Sequence, residues 1–331
     1  MRDRRIDCFK GFLTVQMVLA HCFQFFCNLD AEKGWKFLTE YINLTTFSGF
    51  VFAFGYVSYI AYLQKDFSTA LKRISKNIVR LILAFYISSF AFIIFIENTP
   101  FRKDKILEIL LLKRLAGWSE FLISFAGVML MILLLWKLFK QSNNKFLILI
   151  AGACILVCLL PHKEVKPIVG IFLGGHGSAY FPVIPYYLYF IIGVYFAKKE
   201  LNFNLYALLV AIVASAYTLF DAVFLSKGWP SRFPLSLAWL LGAMLFLYGY
   251  YLLSGLLGEN KYFSWLCDIG KYSLYYLLFS NIIIFALKHS RFYVISSRYS
   301  LGLFIVIMAI LWYMIALVKG KRKDKVSLSS H

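Results

Sequence analysis

RRIDCFKGFLTVQMVLAHCFQFFCN, residues 4–28, is apolar enough and long enough for a membrane helix, yet it places a histidine at a depth lipid would not tolerate. On a helix turning about 100° per residue, Asp7, Lys10, Thr14, Met17, His21, Gln24 and Asn28 recur at alternating spacings of three and four. They therefore fall along one face, and all but Met17 are polar. Phe, Leu, Val and Ile fill the other faces, so the polar face is expected to point into protein and not into lipid. Lys10 and His21 are separated by about three turns, roughly 16 Å of rise, so a basic group near one membrane surface lies below a titratable group inside.

A lone intramembrane histidine often serves only as a hydrogen-bond partner between helices. A packing histidine does not need Asp, Lys, Thr, Gln and Asn along its own face. The whole stripe therefore marks His21 as the first candidate for chemistry.

The rest of the chain sets the context for that helix. Of 331 residues, 61% are hydrophobic, 19% aromatic and 15% charged, against roughly 45–50% apolar residues in soluble domains. The composition is that of an integral membrane protein. The net charge of +19 comes from lysines and arginines lying mainly between apolar runs, where the positive-inside rule accounts for them, so no nucleic-acid partner is read from it. Cys8, Cys22, Cys27, Cys154, Cys158 and Cys267 lack zinc-type spacing and read as small hydrophobes, and no metal site is expected. The first apolar segment lacks a small-x-small exit, so it is expected to be retained as a span and not cleaved as a signal peptide.

Apolar runs at residues 8–28, 41–63, 80–97, 118–136, 146–160, 183–197, 204–225, 235–257, 272–288 and 301–318 predict an all-α integral membrane protein of about ten transmembrane helices. Basic clusters before the first run, between the second and third, fourth and fifth, and sixth and seventh runs, and after the last fall on one side if the count is even. That side is the cytoplasm, which puts both termini there. Residues 98–117 carry charge on the predicted outer side, and DKILEILLLKRLAGW within and just beyond them reads as an interfacial amphipathic helix. HKEVKPIVGIFLGGHGSAYFPVIP reads as a folded loop at the membrane edge. Residues 1–331 form a single transmembrane domain, with a basic tail at about 319–331 expected to be disordered.

The run I-D-C-F-K-G followed by His21 resembles the opening of the membrane-bound acyltransferase-3 superfamily, in its sugar O-acetylase-like branch, with Lys10 in the place of an arginine. FVFAFGYVSYIAY (residues 50–62), YFPVIPYYLYFIIGVYF (180–196) and IGKYSLYYLLFSN (269–281) follow in the order that family shows. Phe54 stands where a serine is usual, and Ser280 stands where a second histidine is usual.

That resemblance implies a membrane-embedded O-acyltransferase of a plasma membrane, the bacterial inner membrane. It would move an acyl group, commonly acetyl from acetyl-CoA as co-substrate, to a hydroxyl of a cell-surface or lipid-linked glycan. No tightly bound cofactor is implied. Acyl transfer to an alcohol needs a base and an oxyanion-stabilising donor set. His21 suits the base, and Asp7 and Lys10 complete the catalytic set. Lys10, Arg73 and Arg80 are the candidates for the anionic donor, although positive-inside loops are basic without any ligand. Glu120, His176, Asp221 and Arg232 are the candidates for the acceptor, because acidic groups at a membrane boundary are costly without a partner. His162, His289 and His331 read as solvated loop or end residues. The competing reading is a glycan or lipid exporter whose pathway the polar stripe lines, for which paired, interrupted half-helices would be the signature.

Overall fold

Asp3 accepts a hydrogen bond from the Arg5 backbone N–H at 2.8 Å and so starts α1 (Arg4–Phe26), an uninterrupted helix with no proline. The computed structural model describes residues 3–98, 102–141, 143–160, 163–176, 180–225, 228–290 and 296–328. His162 and His331 lie outside the described residues. After α1 come α2 (Lys33–Ser58) and α3 (Phe67–Phe92), each ending in a single π-turn, Tyr59–Leu63 and Ile93–Glu97. The short α4 (Lys103–Leu110) precedes α5 (Glu120–Leu134), α6 (Trp136–Gln141), α7 (Asn144–Cys158) and α8 (Pro167–Leu173). The second half comprises α9 (Val183–Lys198), α10 (Leu205–Leu219), α11 (Leu237–Gly242), α12 (Met244–Glu259), α13 (Ser264–Lys271), α14 (Ser273–His289) and α15 (Ser297–Leu328).

Every apolar run read from the sequence lies on helix. Among the described residues, six helical segments are long and apolar enough to cross a membrane: Arg4–Phe26, Lys33–Leu63, Phe67–Glu97, Leu205–Phe224, Leu237–Glu259 and Ser297–Val318. The pair α13 and α14 passes the same test jointly but is bent by 71° at its break, and α5, α7 and α9 are shorter apolar helices. The interfacial helix expected through Trp118 is confined to the eight residues of α4, because Leu112 turns into the left-handed region with φ 54°. The loop before α9 folds locally through α8 and a bridge between Glu164 and His176. The last helix continues to Leu328, into the tail expected to be disordered, since KGKRKDKVSL contains no proline to stop it.

α1 is the axis of the bundle, packing on α2, α12, α13, α14 and α15. Close approach comes from glycine. A Cβ built on Gly270 would lie 1.8 Å from the Asp7 carbonyl oxygen, and one on Gly11 would lie 2.1 Å from that of Leu266, so α13 rests directly on the α1 backbone. Gly55 and Gly193 do the same for α2 against α9, with built Cβ atoms 2.0 Å from the Phe190 oxygen and 2.1 Å from that of Phe52. Tyr56 donates to Asp3 at 2.7 Å, so the end of α2 meets the start of α1. At the opposite end, Lys288 of α14 donates to the Phe25 carbonyl at 2.9 Å.

Gly55→Ala is expected to lower stability by about 1–3 kcal/mol, because the added methyl meets backbone that cannot rotate away. Gly249→Ala, whose built Cβ meets nothing within 4 Å, is the control and should be neutral or slightly stabilising. Melting temperatures in detergent separate the two, and equal shifts would contradict the close-contact account.

Candidate active site

The far half of the α1 stripe opens onto a cavity of about 360 Å³, lined among others by Met17, His21, Gln24, Trp118, Glu120 and Arg232. His21 is 7% exposed, and its Nδ1 lies 2.8 Å from Oδ1 of Asn281 on α14, itself 1% exposed. Asn281 Nδ2 donates to the Trp118 carbonyl oxygen at 3.1 Å. A backbone carbonyl can only accept, so it orients the Asn281 amide with Oδ1 toward the imidazole. His21 Nδ1 must then carry the proton, which leaves Nε2 with the free lone pair. The tautomer of His21 is thus set through a chain ending in main chain.

Trp118 holds that position in an unusual backbone state, with φ 68° in a residue other than glycine. The next residue fastens it: Ser119 donates to Ser88 of α3, and both hydroxyls are buried. The Trp118 ring meets His21 edge-on at 5.3 Å and packs 4.6 Å from Phe25. Glu120 opens α5 and is 8% exposed. One short segment, GWSE, therefore supplies a ring, a carbonyl and a carboxylate to the same cavity.

The opposite wall is the loop before α11. Ser236 caps α11 by accepting from the Trp239 N–H at 3.2 Å and donates to the Ser231 carbonyl at 2.8 Å. This folded loop delivers Arg232, whose guanidinium lies 4.8 Å from the Phe181 ring, 4.8 Å from Phe233 and 5.9 Å from Trp239.

The structure brings together His21, Glu120 and Arg232. It keeps the other predicted residues apart from them. Asp7 and Lys10 form a 3.1 Å ion pair with each other one turn apart, about 16–21 Å along α1 from His21. Arg73 and Arg80 are exposed on α3 near Tyr62, toward the α1 N-terminal end. His176 is exposed in the loop before α9, and Asp221 sits in the π-turn after α10; neither lines the cavity. His289 donates from Nδ1–H to the Phe95 carbonyl oxygen at 3.1 Å, at the end of α14. Asn281 and Trp118 were missed. The available signal for Asn281 was a carboxamide inside the apolar run FSNIII, next to the serine that drew attention.

These features define a multi-pass helical membrane protein with a buried histidine and a carboxylate facing one polar cavity. Residues 2–208 match the family described as heparan-alpha-glucosaminide N-acetyltransferase, catalytic, and the chain belongs to that family of membrane acetyltransferases. The family is not the acyltransferase-3 superfamily that the first helix resembles. The shared motif is short, and its parts serve packing: Gly11 admits α13, and Asp7 and Lys10 neutralise each other beside it. Such needs recur in different membrane helices, so the motif does not discriminate between the two families. No curated protein and no solved structure matches the chain.

Asn281→Leu should lower stability by about 1–3 kcal/mol, since it leaves the buried His21 Nδ1–H and the Trp118 carbonyl without their protein partner. Ser280→Ala should cost less than about 1 kcal/mol, because that hydroxyl donates to Leu277 within its own helix at 3.0 Å. Thermal unfolding of both variants in one detergent checks the contrast.

Proposed function

We propose that the protein transfers acetyl from acetyl-CoA to a hydroxyl or amino group of a glycan or glycolipid acceptor, with His21 as general base. The observation that carries this reading is the Nδ1–H tautomer of His21, which leaves a basic Nε2 in a cavity shared with Glu120. The acceptor oxygen or nitrogen attacks the thioester carbonyl while Nε2 takes its proton. The C–S bond then breaks, and the imidazolium returns that proton to the departing thiolate. Asn281 accepts from Nδ1–H throughout and favours the cation as it forms. Glu120 accepts from hydroxyl or ammonium donors on the acceptor, which suits a sugar.

The donor side is assigned to the other end of α1. Lys10, Arg73 and Arg80 are the groups there for the phosphates of CoA, with Lys10 already balanced by Asp7. Asp221 and His176 are retained as outer contacts of a long acceptor, away from the reacting atoms. In a plasma membrane of ten spans, the six long helices, the bent α13–α14 pair and α5, α7 and α9 would all cross, with both termini inside. The cavity then opens outward, toward a cell-surface acceptor.

His21→Ala should reduce acetyl transfer by about two to four orders of magnitude in protein that remains folded. Transfer from radiolabelled acetyl-CoA, measured beside the melting temperature, tests this; full specific activity would remove the base assignment and favour the exporter.

Topology is checked by single cysteines replacing Asp66, Lys137, Asp104 and Pro230 in a cysteine-free background. All six native cysteines are buried, so their removal alters little surface. An impermeant maleimide applied outside should label positions 104 and 230 and spare 66 and 137.

A further inference from the structure

The guanidinium of Arg232 lines the cavity and lies against the rings of Phe181, Phe233 and Trp239. Rings can hold a cation by its faces but leave its in-plane N–H donors unsatisfied. Arg232 has no carboxylate within 4.0 Å among the described residues, and its buried Nε has no hydrogen-bond partner. Glu120, the acid lining the same cavity, faces it from another element without forming an ion pair. A second orphan lies nearby: the buried Oε1 of Gln24, an acceptor, also lines this cavity and has no partner. A guanidinium held among rings, with an unpartnered Nε and no carboxylate within ion-pair distance among the described residues, is costly unless a ligand supplies the anion. Its planar fork matches a carboxylate or a phosphate.

We infer that Arg232 is an anion-reading subsite, and that the acceptor carries a carboxylate or phosphate group beside the hydroxyl or amine to be acetylated. The anion docks on the donor edge of Arg232, and Gln24 Oε1 takes a hydroxyl donor from the sugar. Glu120 disfavours a second anion at its own end, so a singly acidic sugar has one orientation in the cavity. Arg232 lies beyond residues 2–208, the segment that matches the family, so this selectivity belongs to a part of the chain outside that match. The acetyl-transfer reading is needed for the consequence in turnover but not for the binding itself.

The test measures binding to the intact protein in detergent without acetyl-CoA, using glucuronate, glucose 6-phosphate and neutral glucose as probes. Wild-type protein should bind at least one of the anionic sugars about tenfold or more tightly than glucose, and R232Q should lose that preference. Glucuronate alone would identify a carboxylate reader, glucose 6-phosphate alone a phosphate reader, and both together a general anion site. R232K, which keeps the charge without the fork, should fall between the two and guards against an R232Q protein that does not fold. Equal binding of glucose and the anions by wild type would overturn the proposal. So would unchanged anion affinity in R232Q or R232K, or a loss seen only in acetyl-CoA affinity. Anion binding that depends on Arg232 without any acetyl transfer would instead keep the subsite and reject the enzyme reading.

Discussion

The hydrogen bond between the buried side chains of His21 and Asn281 joins the first helix to the fourteenth, and much of the architecture is arranged so that it can form. A polar side chain on a helix packed from all sides must find its partner inside the bundle. α13 rests on the α1 backbone through Gly11 and Gly270, and the chain then bends by 71° into α14. That bend takes the chain from close contact near Asp7 to the opposite end, where Asn281 meets the imidazole. The Trp118 carbonyl, presented by a left-handed residue pinned through Ser119 and Ser88, completes the chain of hydrogen bonds.

The two halves of the α1 stripe have different physical roles. Toward the N-terminus, Asp7 and Lys10 are one turn apart and neutralise each other, and Arg5 is engaged by the Tyr251 hydroxyl and the Asn202 side chain. Between the ends, Thr14 donates to the Lys10 carbonyl, and the apolar Met17 is buried. The stripe is therefore interrupted by satisfied and apolar groups before it reaches the cavity. An export pathway would need polar lining along the full length of the helix. Transporters built on inverted repeats also use interrupted helices in matched pairs. Here α13 and α14 form the one bent pair among the described residues. A localised, largely aromatic cavity holding a few polar groups and a histidine of defined tautomer is better suited to chemistry than to passage.

Much of the fold was legible in the chain because lipid imposes a simple rule: each apolar run must satisfy its own backbone, and each of the ten runs is helical. The 3.6-residue repeat likewise put the polar residues of α1 along one side of a helix that the structure packs on all sides, and an unexplained carboxylate in GWSEFL and arginine in KGWPSRFP were enough to nominate Glu120 and Arg232. Family membership was misread from the same helix, because close packing and local charge pairing produce similar short motifs in different families. Tertiary structure alone decided the partners. Asn281 lies 260 residues from His21, and no periodicity links them. The aromatic cage of Arg232 draws on the segment just before α9, the loop before α11 and α11 itself, while Asp7 and Lys10 were left far from the imidazole by the rise of the helix itself. Helical spacing is a local property and can be read along the chain. The protonation of a buried imidazole depends on whichever distant atom folding places 2.8 Å away.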